Sequence, residues 1–377
     1  MSMATRNALE PKVAIVHERF TERGGSERVV EQLHALWPDA TVHAAVVDPS
    51  VLPPALVGAE VQASPLQALY KGGRDYVPLL ALMPWAMAHI DVGEVDMVVT
   101  SHHAFANSVR VPKDSAFLSY THTPARWLWD RRLRALEGGM ATKALLGTLA
   151  ATRRRADRKA AQRPDAILVN SAHVAERVRT WWGRTAEVVH PPVDLERFTP
   201  DPSVRREDFF LLAGRLVPYK RPQVAVAAAR RAGVRLVVAG EGRSRRAVDH
   251  VAGPGIEQLG EVDDETLVEL YRKCVAVVFP GEEDFGIVPL EAQACGTPVI
   301  ALRAGGACES VEDGITGLLY EPEGDEVASL ARVLSDFDPR RFNPAAARTR
   351  AERFSPQIFR EAVHSIAQRL LATRGST

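Results

Sequence analysis

Apolar runs and helical stripes alternate along this chain. In the first half, residues 12–17 (KVAIVH), 41–47, 95–100, 116–120 and 165–170 read as buried strands. In the second half the same reading falls on 208–213, 235–239, 256–259, 275–279 and 298–302. Between them lie stretches with apolar residues at helical spacing: 28–36, 172–182 with Ser171 as its N-cap, 223–232, 264–273, 288–294 and 325–334. The last run, 356–372, carries Ile358, Phe359, Val363, Ile366, Leu370 and Leu371 on one helical stripe. Residues 53–87 are rich in Pro and Leu and predict short, irregular helices. Strand followed by helix, repeated, is the pattern of parallel sheets with helices on both faces. An extended segment at 187–206, stiffened by Pro191-Pro192, separates the two halves. It predicts one domain over 1–193 and a second over 194–355.

Composition narrows the class without naming it. The 377 residues are 46% hydrophobic and 25% charged, and 47 basic residues balance 47 acidic ones. That balance gives no overall field for nucleic acid. Cys274, Cys295 and Cys308 are odd in number and form no C-x-x-C, which predicts free thiols in a reducing compartment. The first residues, MSMATRNALEPK, lack a signal-like apolar core, and no run approaches ~18 apolar residues. The expected location is the cytoplasm. Residues 131–163 are dense in Arg and Lys and read as a solvated helix face. The alternative reading is a peripheral contact with the anionic inner face of a membrane.

Candidate chemistry collects where strands end. After the run at 275–279 comes 281–301, GEEDFGIVPLEAQACGTPVIA. It places Glu283 in a loop, Glu291 within the following helix, and the amides of Gly286, Ile287 and Val288 at the helix start, which suits a phosphate. Two acids so placed can face one pocket. Gly24 and Gly25 lie between the first strand and its helix, where open φ angles or close ligand approach would call for glycine. They do not form a G-x-G-x-x-G motif. His122 follows the strand at 116–120 within THTPARWLWD, with Arg126, Trp127 and Trp129 close behind. Arg215 and Lys220 follow the strand at 208–213. Ser101, His102 and His103 follow the end of the strand at 95–100, and the two histidines are expected as loop or packing residues and not on a metal. Asp263-Asp264 is explained by helix capping.

Glu283, seven residues and Glu291, wrapped around Phe285-Gly286-Ile287-Val288 and followed by Gly296-Thr297-Pro298-Val299, resemble the donor site of retaining family-4 glycosyltransferases. The THTPARWLWD string is similar to members that include bacterial O-antigen mannosyltransferases. The resemblance implies the GT-B fold, with two Rossmann-like domains facing a cleft and a final helix, 356–377, crossing back to the first. It implies that Glu283 meets the donor sugar and Glu291 the ribose. The amides after Phe285, with Gly24 and Gly25, would face the diphosphate. Arg215 and Lys220 would neutralise that diphosphate as it leaves, and His122 would lie beside the transferred sugar. The implied co-substrate is a nucleotide-diphosphate sugar, GDP-mannose favoured, with no other cofactor and no metal. The acceptor would be a glycan, a lipid-linked glycan or a small molecule. Arg126, Trp127 and Trp129 are the acceptor-side candidates, with one Trp expected to pack and one to touch sugar. A sugar-nucleotide epimerase of the same fold is the nearest competing reading, followed by a non-catalytic sugar-nucleotide-binding relative. A dinucleotide-dependent oxidoreductase lacks its glycine fingerprint.

Overall fold

The computed structural model describes residues 11–22, 24–72, 76–131 and 140–374. The N-terminal dodecapeptide read for a signal lies mostly outside these residues, as does the 132–139 part of the basic run.

Two parallel sheets organise the chain. The first contains β1 (Val13–Phe20), β2 (Thr41–Val47), β3 (Val61–Ala63), β4 (Met97–His102), β5 (Ala116–Thr121), β6 (Ala166–Val169) and β7 (Glu187–Val188). Its order is β3-β2-β1-β4-β5-β6-β7. The second contains β8 (Phe210–Ala213), β9 (Leu236–Ala239), β10 (Ile256–Gly260), β11 (Ala276–Phe279), β12 (Val299–Leu302) and β13 (Gly317–Tyr320), in the order β10-β9-β8-β11-β12-β13. The strands are continuous apolar runs because helices cover both faces. Along β1 the side chains alternate accordingly. Val13 and Ile15 enter one core with Val30 and Leu33, and Ala14 and Val16 enter another with Met83 and Met87. Strand β8 divides in the same way, Leu211 to one core and Phe210 with Leu212 to the other.

The final helix, Pro356–Arg374, packs Phe359, Val363, Ile366 and Ala367 into the β1 core. Arg369 pairs with Glu187 at 2.8 Å and Arg374 with Asp165 at 2.9 Å, which fastens the helix to the first sheet. Among the described residues no helix is long and apolar enough to cross a membrane.

Three expectations change. Ser101 and His102 belong to β4 and do not follow its end, because the strand keeps its parallel register with β5 as far as His102↔Thr121, and His102 packs there at 2% exposure. Glu187–Val188 is the seventh strand, paired with β6, and not free linker. The helix expected over 172–182 is α-helical only at Ala172–Arg177 and continues as a π-turn over Val178–Trp182. The ladder widens where Trp182 is buried at 2% exposure and donates to Asp157.

Candidate functional site

In each sheet the strand order reverses once, between β1 and β4 in the first and between β8 and β11 in the second. Crevices outside the carboxyl ends of strands at such reversals are where open parallel sheets hold ligands. The loops after β1, β8 and β11 start there, and residues from the two halves meet across the gap.

The loop after β11 is shaped by its glycines and by burial. Gly286 has φ +85°, and a Cβ on it would stand 2.8 Å from Phe279 Cζ, so only glycine fits. It opens the helix Ile287–Ala294, which no side chain caps. The amides of that first turn therefore remain available to an anionic group. Phe285, 3% exposed, packs beneath the loop, and Gly306 N–H donates to the Glu283 carbonyl at 2.9 Å. Gly25 lies opposite. A Cβ there would come 2.6 Å from Ile287 Cδ1. A side chain at 25 would displace the tip of Ile287. At Gly24 open φ angles do not call for glycine, since φ is −162° and extended.

Every charged group expected at the site has a partner. Lys220 Nζ is 2.8 Å from Glu283 Oε1, an ion pair without hydrogen-bond alignment. Arg215 Nη1 reaches Glu22 of the first half at 3.0 Å. Glu291, 5% exposed, accepts from Arg28 Nη1 at 2.5 Å and from the Tyr271 hydroxyl at 2.9 Å. Burial and the neighbouring Glu291 push the Tyr271 hydroxyl well above its ordinary value, so it remains a donor. Glu283 and Glu291 are thus held apart in role, one by a lysine of its own sheet and one by an arginine of the other half. The cavity at this point is lined by Gly214, Arg215, Lys220, Phe279, Pro280 and Glu283.

Arg126 turns toward this loop. Its guanidinium lies 3.4 Å from Asp284 and over the Tyr219 ring. Arg177 also pairs with Asp284, and the Ser171 hydroxyl donates to the Asp284 carbonyl at 2.5 Å. Trp129 is committed to packing. Its N–H donates to Asp157 at 2.7 Å and its ring stacks on Trp181 at 6.2 Å. Trp127 joins the core near Phe105 and Leu128.

His122, 8% exposed, directly follows β5 near His17, His102 and His103. Its Nε2 is 2.8 Å from Ser101 Oγ, and its ring stacks on His103 at 4.4 Å. Burial pushes its imidazole down to about 3, with His17 adding to the shift, so His122 is neutral near pH 7. Burial likewise holds His102 at about 4 against the attraction of Glu18. Among the described residues no group of His, Cys, Asp or Glu is arranged to hold a metal.

Sequence reasoning did not find Glu22, Arg28, Arg177 or Tyr271. Arg28 follows Gly24-Gly25-Ser26-Glu27 directly, and that adjacency was the only signal available for it. The others are common residue types whose partners lie more than a hundred residues away or on another helix.

Comparison with known proteins bears on the family and the fold. Residues 23–197 match the model for Glycosyltransferase Family 4, and residues 197–348 match Glycosyl transferases group 1. A D-inositol 3-phosphate glycosyltransferase from Kribbella flavida is 36% identical over 232 residues, 52% of this chain and 54% of that protein. Its namesake from Geodermatophilus obscurus is 37% identical over 225 residues, 51% of this chain and 49% of that protein. The chain spans about half the length of the curated relatives it matches. Among solved structures, sucrose-phosphate synthase from Thermosynechococcus elongatus superimposes with TM-score 0.73 at 21% identity, covering 97% of this chain and all of that one. Anabaena Alr3699/HepE, in complex with UDP and glucose, does so with TM-score 0.69 at 18% identity, covering 95% and 100%. Two family models meeting at residue 197, two parallel sheets and solved structures of the same architecture lead to one statement: the chain belongs to the family-4, group-1 glycosyltransferases and has the GT-B fold.

Proposed function

We propose that this chain transfers a hexosyl group from a nucleotide-diphosphate sugar to an acceptor hydroxyl, with retention of anomeric configuration and without a metal. One observation carries the reading. Arg215, Lys220, Glu283 and the uncapped helix start at 286–288 converge at the strand-order reversal of the second sheet, with Gly25 presented by the first half against Ile287.

The ion pairs suggest how a donor is received. Its diphosphate replaces Glu22 on Arg215 and Glu283 on Lys220, and the amides of Ile287 and Val288 complete the cradle. Glu283, released from Lys220, turns to the sugar hydroxyls. Glu291 holds the ribose once Arg28 yields. The bond from the anomeric carbon to the phosphate oxygen breaks and the bond to the acceptor oxygen forms on the same face. The acceptor proton passes to the departing phosphate. Fixed cations and amides stabilise that leaving charge with little reorganisation.

GDP-mannose is the favoured donor, on the T-H-T-P-A-R-W-L-W-D string. UDP-hexose is the second reading, because similar structures hold UDP and UDP-glucose. The relatives' name adds an inositol phosphate to the acceptors worth testing. The test is sugar transfer from each donor, followed by product NMR, with and without EDTA. An α-linked product from an α-donor, unchanged by EDTA, is expected. An inverted product, a strict Mg²⁺ requirement, or donor epimerised without acceptor contradicts the proposal.

A further inference from the structure

The first half contains a hydrogen-bonded chain of four side chains that the transfer mechanism above does not use. Glu27, in the first turn of the helix Gly25–Leu36, places Oε1 3.3 Å from His17 Nε2. His17 Nδ1 lies 3.0 Å from Ser101 Oγ. Ser101 Oγ lies 2.8 Å from His122 Nε2. Glu27 lies on a helix, His17 on β1, Ser101 on β4 and His122 directly after β5, and their exposures are 6%, 1%, 0% and 8% in that order. They run from the helix that follows β1 to the carboxyl end of β5.

We infer that Glu27, His17 and Ser101 are positioning residues that fix the tautomer of His122, leaving its Nδ1 as a bare acceptor toward the bound sugar. The direction of the chain follows from hydrogen-bond inventory. An ionised carboxylate can only accept. Glu27 therefore takes the proton of His17 Nε2–H, which leaves His17 Nδ1 without a proton when the ring is neutral. Ser101 has one hydroxyl proton and must give it to His17 Nδ1. Its oxygen then accepts from His122 Nε2–H. A neutral imidazole holds one proton, so His122 Nδ1 keeps its lone pair. That atom has no protein partner among the described residues. The main chain of His122 is fixed as well, since its carbonyl accepts from Asn170 Nδ2 at 2.8 Å. Low exposure supports an ordered chain, because a buried hydroxyl shared by two imidazoles has no water to satisfy a wrong direction.

The functional consequence rests on the proposed sugar transfer. A bare Nδ1 accepts from a hydroxyl of the donor sugar or of the acceptor. The other tautomer would present N–H there and repel the same proton.

The test reads the tautomer apart from the activity. Full-length protein labelled with ¹⁵N-histidine is studied at about pH 8, above the ordinary histidine range. The His122 signals are assigned by their loss in His122→Gln. The expected result is Nε2 protonated and Nδ1 unprotonated, with the preference lost or reversed in Ser101→Ala. Steady-state transfer by Ser101→Ala is expected to fall about tenfold in kcat, with donor KM within about twofold. Ser101→Thr, which restores a hydroxyl, should recover both readouts. An Nδ1–H tautomer in the native protein overturns the inference. So does a tautomer that is the same in Ser101→Ala and the native chain. If the tautomer behaves as stated while no nucleotide sugar is turned over, the sugar-transfer reading fails and the hydrogen-bonded chain stands without its role.

Discussion

Glu283 pairs with Lys220 in the cavity at the carboxyl ends of β8 and β11, and that position makes it the most informative single residue. Glu283→Ala removes the partner of Lys220 without touching a strand. Transfer should drop by about 10² or more while the unfolding midpoint stays close to native, checked by turnover beside thermal denaturation. Near-native turnover would take Glu283 out of the reaction. Buried titratable groups give a second prediction. The native state holds His122 and His102 at about 3 and 4, below an ordinary 6.5. Their contribution is therefore complete above about 6.5 and is lost as pH falls through those values. Asp157 opposes this trend. Burial pushes its carboxyl up to about 6 against the two indole donors, so its contribution is complete below 3.8 and is lost as pH rises through 6. Stability should decline from pH 6.5 to 4, and Asp157→Asn should steepen that decline, as measured by urea unfolding at each pH. At this scale the shared position of Glu283, Lys220 and Arg215 was legible because each sits just past an apolar strand of one sheet. Arg28 and Tyr271 were not, because a partner met only across the folded cleft leaves no trace in local spacing.

The loop and helix over 281–294 show how an element is fitted to its counterpart. Ile287, at the first position of its helix, reaches the backbone of Gly25 in the other half. Gly25→Ala should weaken donor binding several-fold in the native chain and have little effect when Ile287 is already Ala. The displaced group is then absent, and a double-mutant cycle measures the coupling. Additive effects would show that the contact does not shape the site. Element type and order were readable from periodicity because buried parallel strands are unbroken apolar runs. The short strands β3, β7 and β13 escaped, since two to four residues carry too little pattern to separate a strand from a loop. The π-turn at Val178–Trp182 escaped because the bond from Trp182 to Asp157 that accompanies it is tertiary and leaves no local pattern.

At the scale of the molecule, the chain's last helix belongs to its first core. Phe359 is 2% exposed among Val29, Val30 and Tyr120 neighbours of the first sheet. Phe359→Ala should cost about 3 to 5 kcal/mol of first-half stability by cavity formation, measured by denaturant unfolding. A loss confined to the second half would contradict that packing. The return was anticipated from family resemblance, since a helical stripe says that a face is buried and not against what. Pairs such as Arg28–Glu291 and Arg215–Glu22 hold the halves together where the proposed donor would enter. The central claim is therefore a binding claim before it is a rate claim. The measurement that tests it most directly is the thermal shift of the intact chain with GDP-mannose, UDP-glucose, GDP, UDP and NAD in turn, repeated for Lys220→Ala. The account predicts stabilisation by a nucleotide sugar and its diphosphate, about 2.7 kcal/mol at ~100 times Kd, and its loss in Lys220→Ala. No shift with any nucleotide sugar, or an equal shift in Lys220→Ala, would contradict it.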